Sequence, residues 1–529
     1  MHPIEIVLLL LIFVVALALF ASRLKVVFPV LLTLGGLLIG FVPGLPNVVL
    51  DPSVVLLVFL PPILYSAAWY TNWADFRRNL EPILVLALGL VLATCAGTAF
   101  VAERFIPGFT LATGFLLGAI VSPPDAVAAT AVMKRLTVPR KVVTVLEGES
   151  LVNDASALVA FQLALSTIST GTFSLAESAG RFAVLAGGGI AVGLAVGYVS
   201  YWLHRRFDLE PALETVLTFV TAYSAYIAAE RLHLSGVLSV VAAGLLLGHK
   251  QSYVHSPTMR VQAVAVWDFV IVLLNGLIFI LIGLQLPYIV GGIRAQPSTP
   301  SLVQLIGYGL LISLTAVLVR FAYIFLADTV SNRVRRALHR PTVFPSKKHT
   351  TLLAYIGMRG VVSLAAALSI PQTLPDGSPF PVRNLILFIT FCVILFTLVG
   401  QGVSLPALIR ALRFETHPDD LPPAQLVRQR LAERAVSSLQ QTITAGQLAH
   451  PAARMVLDWH RARLAQHSPP PGGTSPGDHE TLTRHLLLTA IRAQRAELLH
   501  LRETEQIDVE LFHELENELD LDEVRARNA

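Results

Sequence analysis

Along most of this chain apolar residues do not alternate with polar ones. They run together in stretches of about 20 residues, the length a helix needs to cross a bilayer core, and short polar loops separate them. The pattern predicts about thirteen membrane spans, near residues 4–22, 26–48, 52–70, 80–102, 107–133, 141–170, 180–203, 211–230, 234–249, 261–286, 302–327, 350–370 and 384–411. Beyond about Phe414 the chain turns polar, rich in Arg, Glu, Gln and His. This places a membrane domain over 1–412 and a cytosolic tail over 413–529. The stretch "HSPPPGGTSPGD" reads as a linker within that tail. After it, Leu511, Phe512, Leu515 and Leu519 fall at helical spacing. Residues 480–523 are too few for a sizeable core, so a partner is expected for them, with the first of two alternatives preferred. The first is a second copy of the chain, making a homodimer. The other is the basic loop at 333–348, where Arg335 and Arg336 would meet Glu514, Glu516 and Glu518.

Composition agrees with the spans. The chain has 529 residues, 54% hydrophobic and 14% charged, with a mean hydropathy of +0.66; soluble domains carry roughly 25% charged residues. The two cysteines, Cys95 and Cys392, sit in apolar runs and offer neither a disulfide framework nor a metal cluster. A net charge of +4 gives no reason to expect nucleic acid as a partner. The apolar N-terminus resembles a signal peptide, but it lacks a basic leading region, and Arg23 and Lys25 follow the apolar run. It reads as a retained first span.

The loops orient the chain. Those after spans one, three, five, seven, nine and eleven hold Arg23 and Lys25; Arg77 and Arg78; Lys134, Arg135, Arg140 and Lys141; Arg205 and Arg206; Lys250 and Arg260; and Arg333, Arg335, Arg336, Arg340, Lys347 and Lys348. The opposite loops hold little beyond Arg104, Arg231, Arg294 and Arg383. Cytoplasmic loops collect Lys and Arg, so the N-terminus is expected outside and the C-terminus in the cytoplasm of a multi-pass protein of the cell membrane.

Charges inside the spans narrow the function. A charged side chain at mid-membrane costs about 2.5–3.5 kcal/mol on insertion scales. Asp125, Glu149, Asp154 and Arg359 lie deep. Asp268, Glu214, Glu230 and Arg320 lie nearer span ends and read as interfacial or snorkelling side chains. Span six, "GESLVNDASALV", puts Ser150 and Asp154 four apart on one helix face, with Asn153 beside them and Glu149 on an adjoining face. A polar stripe gluing helices together would need only Ser and Asn. Span five, "VSPPDAVAATAVM", has Pro123 and Pro124 in its middle, so the helix must open around Ser122–Asp125. Broken backbone at that depth is tolerated when buried in protein or lining a cavity. In span twelve, Gly357 and Gly360 bracket Arg359. An arginine keeps its proton, and Glu149 is the best candidate partner, as a structural ion pair. Two broken helices seven spans apart suggest two inverted six-span repeats and a secondary transporter with a midplane site.

"GESLVNDASALV", "VSPPDAVAATAVM" and "GMRGVVSLAAALSIP", in that order, resemble the monovalent cation:proton antiporters, in the bacterial form of the sodium/proton exchanger branch. The resemblance covers about 1–412. It implies an all-α fold of thirteen helices with a dimerisation domain and a mobile core domain, in which spans five and twelve cross as broken helices. It implies that Asp154 binds either cation or proton, that Asp125 and Ser150 help ligate the ion, and that Asn153 marks the electroneutral branch. It also pairs Glu149 with Arg359. Two positions depart from the family pattern: Pro124 stands where Thr is frequent and offers only a carbonyl, and Ser66 stands where many members carry Glu.

The function expected is sodium/proton antiport by alternating access, with a potassium/proton or mixed-cation exchanger as the alternative. A monovalent cation would sit at Asp154 and Asp125. A poorly solvated carboxylate resists remaining charged and bare; if the core domain moves only when Asp154 holds a proton or a cation, exchange follows. No G-x-x-x-x-G-K-[ST] loop is present, so the ion gradient supplies the energy; neither enzymatic activity nor a cofactor is expected. A channel would give uncoupled currents. An intramembrane aspartyl protease built on Asp125 and Asp154 leaves the arginine and the paired helix breaks without a role.

Overall fold

The computed structural model describes residues 3–24, 28–42, 56–133, 136, 138–171, 175–207, 209–254, 257–294, 300–339, 344, 346–414, 424–442, 455–459, 478–504, 507 and 509–528. Lys25, Lys134, Arg135 and Arg340, counted in the basic loops, and the linker over 467–477 lie outside them. Among the described residues the regular structure is helical, and the one β-type pairing is an isolated bridge between Thr373 and Pro379.

Among the described residues eight helices are long and apolar enough to cross a membrane: Leu80–Phe105, Leu111–Met133, Lys141–Thr170, Glu177–Arg206, Pro211–Arg231, Pro257–Gly291, Leu302–Ala337 and Arg383–Leu412. Shorter apolar helices cover Leu8–Leu19, Phe28–Gly40, Leu56–Tyr70 and Gly236–Lys250. Their outer faces are apolar too. Along Leu175–Arg206, for instance, Val184, Ile190, Leu194, Tyr198 and Trp202 all stand exposed. Such a surface suits lipid and not water.

The chain divides into two compact units. The first comprises Met1–Leu203, Thr218–Gln251 and Phe269–Glu415; the second comprises His204–Leu217, Ser252–Asp268 and Thr416–Ala529.

In the first unit two helices are interrupted. One has the halves Leu111–Val121 and Ala126–Met133; the other has Lys347–Tyr355 and Val361–Leu368. Thr110 starts the first of these with a reciprocal cap, its Oγ1 accepting from Thr113 N while Thr113 Oγ1 accepts from Thr110 N. That half-helix then packs backbone to backbone against Leu80–Phe105. A methyl group on Gly118 would lie 2.5 Å from Cys95 Cα, and one on Gly114 would lie 2.8 Å from Ala99 Cα. Small residues four apart allow such an approach between membrane helices.

In the second unit the tail supplies its own apolar core, which corrects the expectation that its helices need a second protomer. Phe512, Leu515 and Leu519 of the last helix, Val509–Asn528, cluster with Val427 and Leu431 of Ala424–Thr442 and with Ile491, Leu498 and Leu501 of Asp478–Glu503. Within this unit the carboxylates expected to meet the basic loop at 333–348 lie against other arginines. Glu514 and Glu518 both bind Arg428 at 2.7 Å, Glu516 lies 3.9 Å from Arg260, and Arg335 binds Glu81. Apolar positions at helical spacing announce a buried face, but they do not say which helix covers it.

Candidate functional site

The first break follows from its prolines. Pro123 and Pro124 have no N–H to continue the ladder, and the chain leaves the helix over residues 122–125. Restarting at Ala126 exposes unpaired N–H groups. Asp125 answers them: its Oδ1 accepts from Val127 N at 2.9 Å and Ala128 N at 3.3 Å, the arrangement of a helix N-cap.

The second break runs through Ile356–Gly360. Here Asp125 N donates to Met358 O at 2.7 Å, so the two breaks meet backbone to backbone. Gly360 is required at this meeting point. A Cβ there would lie 1.9 Å from Asp125 Oδ2, and no side chain fits. The Asp125 carboxylate thus caps the half-helix Ala126–Met133 while touching the start of Val361–Leu368. Helix N-termini carry partial positive charge, and this carboxylate lies beside two of them while capping one.

Arginines close the opposite ends. Arg359 donates through Nε to Val121 O, the last residue of Leu111–Val121, and through NH1 to Gly357 O. Arg320, on Leu302–Ala337, donates to Leu353 O at 3.2 Å, in the last turn of Lys347–Tyr355. The partial negative charge of each interrupted C-terminus therefore meets a guanidinium.

The helix Arg140–Thr170 brings the remaining groups. Ser150 Oγ donates to Pro124 O at 3.3 Å and accepts from Ala126 N at 3.4 Å, bridging the two sides of the first break. Pro124 itself is buried. One turn further, Asp154 is buried, with no hydrogen bond or ion pair among the described residues; Asp125 is the neighbour whose charge it feels. The amide of Asn153 is fully buried, and neither its Oδ1 nor its Nδ2 has a hydrogen-bond partner among the described residues. Ser66 is buried on Leu60–Tyr70. Hydroxyl, amide and backbone oxygens beside two carboxylates make a donor set suited to a hard cation.

The ion pair differs from the sequence expectation. Glu149 takes Arg320, not Arg359: NH1 and NH2 of Arg320 reach its Oε1 and Oε2 at 2.6 and 2.9 Å. The span over 302–327 put Arg320 near an end, where a long side chain can snorkel. The helix in fact continues to Ala337, which leaves Arg320 in its middle and 1% exposed. Arg359 lies within electrostatic reach of Glu149 but spends its hydrogen bonds on carbonyls that the breaks set free. Those carbonyls carry no mark in the sequence. Two further residues were also missed. Gln401 Oε1 accepts from Gly357 N at 3.2 Å, and Thr397 Oγ1 accepts from Arg359 N at 3.1 Å. Their signal was a polar pair four apart within the apolar run of Arg383–Leu412.

Residues 9–411 match the family model described as "Sodium/hydrogen exchanger, transmembrane". An uncharacterized Na+/H+ exchanger of Mycobacterium tuberculosis is 35% identical over 94% of this chain and 91% of its own length. A sodium, potassium, lithium and rubidium/H+ antiporter of Bacillus pumilus is 32% identical over 91% of this chain and 72% of its own. In fold, the chain resembles the solved structure of a sodium proton antiporter from Methanocaldococcus jannaschii, with a TM-score of 0.63 and 22% identity, covering 78% of this chain and 99% of that one. With well over half of its length matched by that family model, this chain belongs to the sodium/hydrogen exchanger family.

Proposed function

We propose that the protein is an electroneutral antiporter, exchanging one sodium ion for one proton across the cell membrane by alternating access. The observation that carries this reading is Asp154, a buried carboxylate with no hydrogen bond or ion pair among the described residues, one turn from a serine bound to the open backbone of a broken helix. Such a carboxylate needs either a proton or a cation to neutralise it. The cation would take oxygens from Asp154, Asp125, Ser150, Asn153 and the Pro124 carbonyl, with Ser66 as a further hydroxyl. Asp125 is the less free of the two acids, because one oxygen already caps a helix.

The architecture that goes with this reading has about thirteen spans in two inverted six-span repeats, with the N-terminus outside and the C-terminus in the cytoplasm. Homodimerisation, through the membrane domain by family resemblance, and a part in pH homeostasis belong to the same reading. The ionic cargo has a second candidate. The Bacillus pumilus relative is named for sodium, potassium, lithium and rubidium, which supports a mixed-cation exchanger.

Purified protein in proteoliposomes, with internal pH followed while sodium, potassium or lithium is added in turn, tests both. Proton flux that follows sodium without net current is expected. Flux with all the cations favours the mixed exchanger, and current without coupled proton movement rejects antiport.

A further inference from the structure

The second break is held by three side chains of one helix. On Arg383–Leu412, Thr397, Gln401 and Ser404 stand at i, i+4 and i+7, which places them on one face. Opposite them, in reverse order, stand Arg359, Gly357 and Tyr355. Thr397 Oγ1 accepts from Arg359 N at 3.1 Å, Gln401 Oε1 accepts from Gly357 N at 3.2 Å, and Ser404 Oγ bonds the Tyr355 hydroxyl. Thr397 passes its own proton to Val393 O at 2.7 Å, which fixes it as the acceptor.

The spacing explains why the match works. Four residues of helix rise about 6 Å, and two residues of extended chain span about 6.6 Å. In extended chain, the peptide groups of alternate residues point to the same side. Ile356 is extended, at φ −74° and ψ 102°. The N–H groups of Gly357 and Arg359 both turn toward Arg383–Leu412, while the carbonyl of Met358 between them turns the other way, to Asp125 N at 2.7 Å. The broken segment behaves as a single strand whose neighbour on one side is a ladder of side chains and on the other is the first break.

Resting on the antiporter reading, we infer that Thr397, Gln401 and Ser404 are positioning residues of the ion site. They fix the register of residues 355–359, and through Met358 and Arg359 they set where Asp125 and the end of Leu111–Val121 stand. Both N–H groups lie in a buried segment, where an unmet donor is costly. Losing one acceptor therefore lets the segment move.

The test uses the full chain and four variants: Thr397→Val, Thr397→Ser, Gln401→Met and Ser404→Ala. Thr397→Val and Gln401→Met keep size and remove the acceptor; Thr397→Ser keeps it. Amide hydrogen exchange is followed by mass spectrometry on peptides covering 356–360, and cation-driven proton flux is measured across pH. The acceptor-less variants are expected to exchange faster at 356–360 alone, to raise the apparent KM for the cation about five- to tenfold, and to shift the pH profile. Thr397→Ser should behave as the parent. Ser404→Ala, whose rung binds only a side chain, should show the same direction in smaller measure and remains informative where the larger changes fail to fold. A purely structural ladder would lower the yield of folded protein and leave KM and pH profile unchanged; that result overturns the inference. So does unchanged exchange at 356–360, or a Thr397→Ser variant as impaired as Thr397→Val. If the parent protein itself shows no cation-driven flux, the antiporter reading fails, and exchange at 356–360 still decides the ladder.

Discussion

Glu149 and Arg320 form a two-pronged ion pair at 2.6 and 2.9 Å with both side chains almost wholly out of solvent. Removing one member of a buried pair leaves the other charge uncompensated, at a cost of about 3–5 kcal/mol. Arg320→Ala should therefore lower the unfolding temperature in detergent sharply, and adding Glu149→Gln should recover part of the loss. Arg359→Ala with Glu149→Gln should come closer to adding, because Arg359 is held by carbonyls. Thermal unfolding of these single and double variants measures the two couplings. A larger coupling for Arg359 than for Arg320 would return Glu149 to the partner expected from the sequence.

Asp154 is the test of transport itself. Asp154→Asn keeps the shape and removes the ionisable group. The variant should insert and unfold as the parent does, since no ion pair or hydrogen bond is lost, yet carry no cation-driven proton flux in proteoliposomes. Full exchange in that variant would move the site elsewhere.

Asp125 caps a helix and, on the antiporter reading, would also ligate the cation, two roles that substitutions can separate. Asparagine is as good an N-cap as aspartate, whereas alanine forfeits the cap at roughly 0.5–2 kcal/mol. Asp125→Asn should thus keep its unfolding temperature while losing cation affinity, read as a raised apparent KM. Asp125→Ala should lose both. Equal destabilisation of the two variants would mean that the carboxylate's charge beside the start of Val361–Leu368 matters more than its hydrogen bonds to Val127 and Ala128.

Much of this arrangement was legible in the chain because it depends on backbone chemistry. Pro123 and Pro124 cannot continue a helix, and Gly357 and Gly360 weaken one. Ser150 and Asp154 share a face by arithmetic alone. What was not legible depends on distant partners. Arg320 looked interfacial because an apolar run ends before its helix does. Arg359 looked in need of a carboxylate because the carbonyls freed at Val121 and Gly357 are properties of a conformation, not of a residue type. The same holds for Thr397 and Gln401, whose value lies in two N–H groups that a regular helix would have paired internally.

The tail offers the last test. Arg260, near the start of Pro257–Arg294, binds both oxygens of Asp520 through Nε and NH2, at 2.7 and 2.5 Å, and Arg495 binds Asp520 and Glu523 at 2.7 Å each. Glu516, Asp520 and Glu523 are all buried, and they fall at i, i+4 and i+7 on one face of Val509–Asn528. By contrast, Arg428 binds Glu514 and Glu518 at the surface, with Glu514 about half exposed. Hydrogen bonds to Glu518 first, and then to Glu514, raise the pKa of Arg428, but exposed pairs of this kind contribute only about 0–1 kcal/mol and are screened by salt. Arg260→Ala or Asp520→Ala should therefore open the tail to limited proteolysis in the full-length protein, at low and at high salt alike. Arg428→Ala should have a small effect that disappears at high salt. The pair Arg260→Ala with Asp520→Ala should cost less than the two single losses added together. If Arg428→Ala loosens the tail as much as Arg260→Ala does, or if high salt abolishes the effect of Arg260→Ala, then the tail is held by its charged surface and not by the buried arginine.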